Sequence, residues 1–233
     1  TTDTPVKETS LEPVAFEQEI EFILETARLY LEKKPSRADI LSVFAGIRPL
    51  AKSGDGGNTA ALSRDHTIHI DQSGLLTITG GKWTTYRNMA QGAVDQAATL
   101  ADLPEKACLT RTLNIHGHHT NAANFGSLSF YGADAPAIRE LIAGDATLGK
   151  PLDSQLPYVE AEVVWAVREE MARTVEDVLA RRTRALFLDA KSALRMAPRV
   201  AAILAGELGK DGKWQADQIN AFNQIAGGYL ARA

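Results

Sequence analysis

The residues with the clearest capacity for chemistry lie in one short run, Gly80-Gly81-Lys82-Trp83-Thr84-Thr85-Tyr86-Arg87, which follows Leu75-Leu76-Thr77-Ile78-Thr79. Leu75 to Thr79 is apolar and β-branched, the composition of a buried strand. Gly80 and Gly81 allow positive φ and close approach of another group to the backbone. After them, Met89, Ala90, Ala93, Val94, Ala97 and Ala98 recur at helical spacing, with Thr84 or Thr85 as the expected cap. The start of a helix therefore faces the turn. Its N–H groups, with Lys82 beside them, suit an anion or an electron-rich ring. Three readings compete for this junction: a nucleotide P-loop, a plain strand-to-helix connection with a solvated lysine, and a flavin or phosphate site. The P-loop fails, because Leu76 stands where its first glycine belongs and Trp83 where its Ser or Thr belongs.

Other candidates are weaker taken singly. Arg48 ends the apolar run Ile40 to Leu50, which reads as a buried strand running into Gly46 and stopping at Pro49. A strand-end arginine is usually exposed or paired with a carboxylate. Arg64 opens a stretch, Ser63 to Ile70, that alternates toward a half-buried strand and turns back at Asp71-Gln72-Ser73-Gly74, a hairpin leading into the central junction. His66 and His69 have no companions at metal-ligand spacing, and His116, His118 and His119 crowd a glycine loop without Cys or acidic ligands, so no metal is expected. The loop Lys52 to Asn58 lacks the spaced carboxylates of a calcium site. Cys108 reads as a small buried residue, and a single cysteine permits no internal disulfide.

The elements that must position these groups follow from periodicity. An amphipathic helix is expected over Pro13 to Leu31, a long one from Thr84 to about Leu103, and a further strand over Ala107 to Ile115. Past a boundary at His116 the pattern is wholly helical, with helices over Ala135 to Ala143, Glu160 to Arg173, Asp189 to Leu208 and Ala216 to Leu230. Asp189 caps the third of these and Gly209 ends it. The cluster Arg181-Arg182-Thr183-Arg184 reads as a solvated face or as pairing with acidic residues such as Glu169, Glu170, Glu176 and Asp177, and no ligand is assigned to it. The fold class is α+β. With 233 residues, 45% hydrophobic, the chain can build a sizeable core, and a formal charge of -4 gives no electrostatic case for nucleic acid. No apolar run approaches the roughly 20 residues of a membrane span.

Four motifs in register, Gly46-Ile47-Arg48-Pro49-Leu50, Ser63-Arg64-Asp65-His66, Gly80 to Arg87 and Leu179 to Arg184, make the chain resemble the C-terminal part of the aerobic, FAD-dependent glycerol-3-phosphate dehydrogenases. The resemblance runs over essentially the whole chain. It implies a flavoprotein that oxidises sn-glycerol 3-phosphate to dihydroxyacetone phosphate and passes electrons to a quinone. It implies also that the chain is a fragment, inactive alone, because the GxGxxG turn that holds FAD in the family occurs nowhere between Thr1 and Ala233. Residues 1–116 would be the C-terminal portion of a split FAD- and substrate-binding domain, with strands and two long helices, and residues 117–233 an all-α cap. By resemblance Arg48 and Arg64 hold the substrate phosphate. Lys82 is the catalytic lysine beside flavin and substrate, and Gly80, Gly81, Lys82, Trp83 and Thr84 line the cofactor. The implied partners are the phosphorylated substrate, a quinone, the N-terminal half of the same protein and, through unpaired strand edges, further copies of the chain. The implied location is the cytoplasm, peripheral to the membrane face. A glycerol-3-phosphate oxidase using O2 shares the motifs, and a non-catalytic helical interaction module is the alternative from another class.

Overall fold

The computed structural model describes residues 2–47 and 66–231, so Arg48 and Arg64 lie outside the described residues. The chain divides into two compact units, one of Thr1–Gly46 with His116–Ala233 and one of Ile47–Ile115. The second boundary adjoins the one expected at His116. The first 46 residues group with the helical C-terminal region, which periodicity along the chain does not reveal.

The larger unit is built of helices. The N-terminal segment carries α1 (Glu17–Tyr30), with Glu19 accepting from the Phe16 N–H at its start. After residue 116 come 3₁₀ turns over Ala122–Asp134, then α3 (Ala135–Gly144), α4 (Glu160–Arg168), a π-helical turn over Asp177–Arg182, α5 (Ala185–Leu188), α6 (Ala190–Leu208) and α7 (Gly212–Gly227). Leu179, Leu186, Met196, Val200, Leu204 and Phe222 form the main core, and Leu128, Tyr131, Ile138 and Ala161 a second one. The α6 boundaries are those the sequence dictates: Asp189 accepts from the Ser192 N–H, and Gly209 ends the helix at φ 63°. The last helix starts before Ala216, because Asp211 accepts from the Trp214 N–H and so caps a start at Gly212. The helix expected over Glu160 to Arg173 stops at Arg168. Met171, within the expected span, is exposed at φ 58°.

The run from Ile40 is not a strand in its described part, to Ile47. Its backbone groups bond to helix ends instead of a neighbouring strand: Val43 N–H donates to the Tyr229 carbonyl at 2.8 Å, and the Leu41 carbonyl accepts from Ala190 N–H at 3.0 Å. Ser42 Oγ donates to the Leu186 carbonyl. A strand exists only through its ladder, and an apolar sequence does not supply one.

The smaller unit is a hairpin followed by a helix. Strand β1 (His66–Ile70) pairs antiparallel with β2 (Leu76–Gly80), His66 opposite Gly80 and Ile70 opposite Leu76. Asp71 Oδ1 accepts from the N–H groups of Ser73 and Leu75, and Gly74 sits at φ 85°, as the turn sequence requires. A 3₁₀ turn over Trp83–Thr85 leads into α2 (Tyr86–Leu100). No strand forms over Ala107 to Ile115, where Leu109, Leu113 and Ile115 are exposed. Their alternation has no partner among the described residues. Cys108 is half-buried and not enclosed. Thr110 bonds its sulfur, with Arg87 nearby, and both hold the thiol below its ordinary range.

Candidate active site

The geometry at the end of β2 is set by two consecutive glycines, Gly80 at φ 74° and Gly81 at φ 85°. A Cβ on Gly81 would lie 2.5 Å from Met89 Sδ and 3.2 Å from His66 Cβ. The close approach that glycine permits here is thus made from within, by α2 and β1, and it fixes the turn against both. The backbone then returns to an extended conformation at Lys82 (φ -129°, ψ 145°) before the 3₁₀ turn begins.

Neither threonine caps the helix. Thr85 occupies the cap position of α2 but its hydroxyl donates to the Lys82 carbonyl at 3.0 Å, the same oxygen that accepts from the Thr85 N–H. Those two bonds tie the turn to its own carbonyl. The Thr85 and Tyr86 N–H groups are spent on the Lys82 and Trp83 carbonyls, so the positive end here is the start of the 3₁₀ turn, next to Lys82 in the chain.

Trp83 is 85% exposed and stacks on Tyr86, ring centroids 5.3 Å apart and 22° from parallel. Lys82 and Thr84 are exposed with it. Among the described residues, no helix or strand covers this aromatic pair. The structure therefore brings together Gly80, Gly81, Lys82, Trp83 and Thr84, and adds Tyr86, which the sequence reading missed. Its signal was present as an aromatic three positions after Trp83, on the same face of the helical turn.

The histidines take ordinary roles. His116 Nε2 lies 2.7 Å from Asp134 Oδ2 and the His119 ring packs on Phe125. Among the described residues there is no group of His, Cys, Asp or Glu able to hold a metal. In the basic cluster Arg181 pairs with Glu176 and Asp177 and Arg182 with Glu170, while Arg184 lies over the Phe187 ring.

A family profile described as the C-terminal domain of alpha-glycerophosphate oxidase matches residues 75–216, from the start of the run into Gly80 to the first turns of α7. The chain belongs to this family. Its curated relatives include the mitochondrial glycerol-3-phosphate dehydrogenase SDP6 of Arabidopsis thaliana, 39% identical over 89% of this chain and 38% of the relative. The human mitochondrial glycerol-3-phosphate dehydrogenase is 34% identical over 94% of this chain and 33% of the relative. The chain thus spans about a third of the length of the curated relatives it matches. Among solved structures, the glycerol-3-phosphate dehydrogenase of Bacillus halodurans complexed with FAD shares the fold, with a TM-score of 0.76 at 22% identity over 99% of this chain and 48% of that one. Membership of the family bears out the resemblance and the α+β reading with its helical C-terminal region. Among the described residues, no helix is long and apolar enough to cross a membrane.

Proposed function

We propose that the chain is the C-terminal part of a flavoprotein that oxidises sn-glycerol 3-phosphate to dihydroxyacetone phosphate and passes the electrons to a quinone, working peripherally at a membrane face. The observation that carries this reading is the Gly80 to Tyr86 junction, where a double-glycine turn presents Lys82, a helix start and an uncovered Trp83–Tyr86 stack on one short stretch of chain. FAD, when bound, accepts the hydride that leaves C2 of the substrate.

The residues present fit that cofactor. Met89 and His66 brace Gly81 from inside, so the outer side of the turn can take a flat ring without moving the backbone. Lys82 and the first N–H groups of the 3₁₀ turn supply positive charge where a reduced ring gains electron density. Trp83 and Thr84 bound its edge, and Tyr86 holds Trp83 by stacking. Arg48 and Arg64 bind the substrate phosphate, two guanidiniums matching a dianion through charge-assisted, bidentate hydrogen bonds. The base that takes the hydroxyl proton belongs to the N-terminal half. No residue of β1, β2 or α2 is buried, and Ile70, Ile78, Val94 and Leu100 are exposed, which supports a larger flavin domain covering this unit.

The test is the visible spectrum of the full-length protein, recorded anaerobically before and after adding sn-glycerol 3-phosphate. A flavin band that bleaches supports cofactor and substrate together. A band that persists moves the substrate elsewhere, and no band returns the junction to a plain strand-to-helix connection. The family's description names an oxidase, so the acceptor is tested separately, by oxygen consumption against quinone reduction with the same substrate.

A further inference from the structure

The second core, around α4, holds an acid without a counter-charge. Glu162 is 1% exposed. Its Oε2 accepts from the Val159 N–H at 2.7 Å, while its Oε1 is buried with no hydrogen-bond partner. Beside it, the Tyr131 hydroxyl is also buried and also without a partner, and on the same helix Trp165 Nε1 is a third such atom. Three buried polar groups in one small region thus lack a partner.

Other shielded acids of this unit make the contrast. Glu160, two residues earlier and 4% exposed, is gripped by Arg199 through both oxygens. The Asp153 side chain has Arg195, and Asp189 has the Ser192 N–H and hydroxyl. The groups acting on Glu162 are Tyr131 from the Ala122–Asp134 turns, the Val159 N–H before α4, and Glu170 beyond its end. Tyr158 lies close as well, but its hydroxyl is spent on the Thr183 carbonyl. None of these is a cation. Of the cations in this region, Arg182 serves Glu170, with Asp134 and His116 further out, and Arg184 acts on Tyr158.

We infer that Glu162 is a buried proton switch: seated without a counter-charge where α4 meets the Ala122–Asp134 turns, it is neutral in the packed form, and loss of its proton to solvent at higher pH loosens that packing. The neutral form leaves no unpaired charge in this site. The ionised form places a second negative charge near Glu170 in a dry site. Burial, and then the charge of Glu170, push the Glu162 carboxyl up to about 7, against the lowering pull of the Val159 N–H and Tyr131. A carboxyl raised in the folded state contributes stability that is fully present below its unfolded value and is lost as pH rises through its folded one. The packing of the Ala122–Asp134 turns on α4 therefore holds in mild acid and loosens above neutrality.

The experiment is a carbon-13 NMR titration of the side-chain carboxyls in the whole chain, with E162Q to assign the resonance, together with thermal unfolding from about pH 5 to about pH 8. The expected result is a Glu162 midpoint near neutrality and a melting temperature that falls across this range in the wild type, with a flatter profile in E162Q. A midpoint in the ordinary carboxylate range, or an E162Q profile as steep as wild type, overturns the proposal. Should E162Q fail to fold, Y131F keeps the acid and removes the hydroxyl that helps hold its midpoint down. The Glu162 midpoint then rises, and an unchanged midpoint in Y131F overturns the pairing.

Discussion

Lys82→Met in the full-length flavoprotein is expected to lower kcat with sn-glycerol 3-phosphate by about 10²- to 10³-fold, the usual loss when one preorganised charge is withdrawn from developing negative charge. Lys82 stands in extended backbone between the double-glycine turn and the 3₁₀ turn, so its removal leaves the bonds that shape the junction in place. Flavin content, read from the visible spectrum, should remain close to wild type. The loss should appear in the rate of flavin bleaching under anaerobic mixing and be partly restored by Lys82→Arg, which keeps the charge but not its shape. A variant that bleaches at the wild-type rate would remove Lys82 from the site.

Gly132→Ala is expected to cost more than about 4 kcal/mol, enough to unfold a marginally stable helical unit. Gly132 is buried at φ 54°, and a Cβ there would fall 1.8 Å from the Gly117 carbonyl oxygen. That oxygen accepts from the Ala133 N–H at 2.9 Å, so neither backbone can withdraw without breaking the bond that joins them. Gly126 provides the control. It has a similar φ of 65° but nothing within 4 Å of its would-be Cβ, so Gly126→Ala should cost only the conformational strain, about 1–3 kcal/mol. Urea midpoints of the two variants measure the difference. Equal midpoints would show that the Gly117 to Gly132 contact relaxes freely.

What could be read from the sequence was what is written locally. The hairpin was legible because Asp71 and Gly74 encode its turn, and α6 because Asp189 and Gly209 mark its two ends. The junction residues were legible as a group, since a strand, two glycines and a helix start are adjacent in the chain. Where an element depends on a distant partner, pattern alone misled. Ala107 to Ile115 alternates as a strand does and is irregular, and the run from Ile40 is apolar yet bonds to helix ends. The Thr84 or Thr85 cap failed for a different reason, because the Lys82 carbonyl competes for the Thr85 hydroxyl. Glu162 and Tyr131 could not be paired beforehand, since nothing near either residue in the chain marks their meeting across two elements. The proposed phosphate ligands Arg48 and Arg64 rest on the motifs that carry them.

The bonds from Leu41, Ser42 and Val43 to residues 190, 186 and 229 have a consequence for how the protein is made. Ser42 and its acceptor are 144 positions apart, and the whole of Ile47–Ile115 is inserted between the two segments of the unit they belong to. On a ribosome, the first 46 residues emerge long before the carbonyls and N–H groups they need. The Leu41 carbonyl and the Val43 N–H must wait, without these partners, until Ala190 and Tyr229 have been added. The order of synthesis thus leaves residues 41–43 without their partners until residues 186–229 have been made, and the arrival of that segment is what lets the unit close.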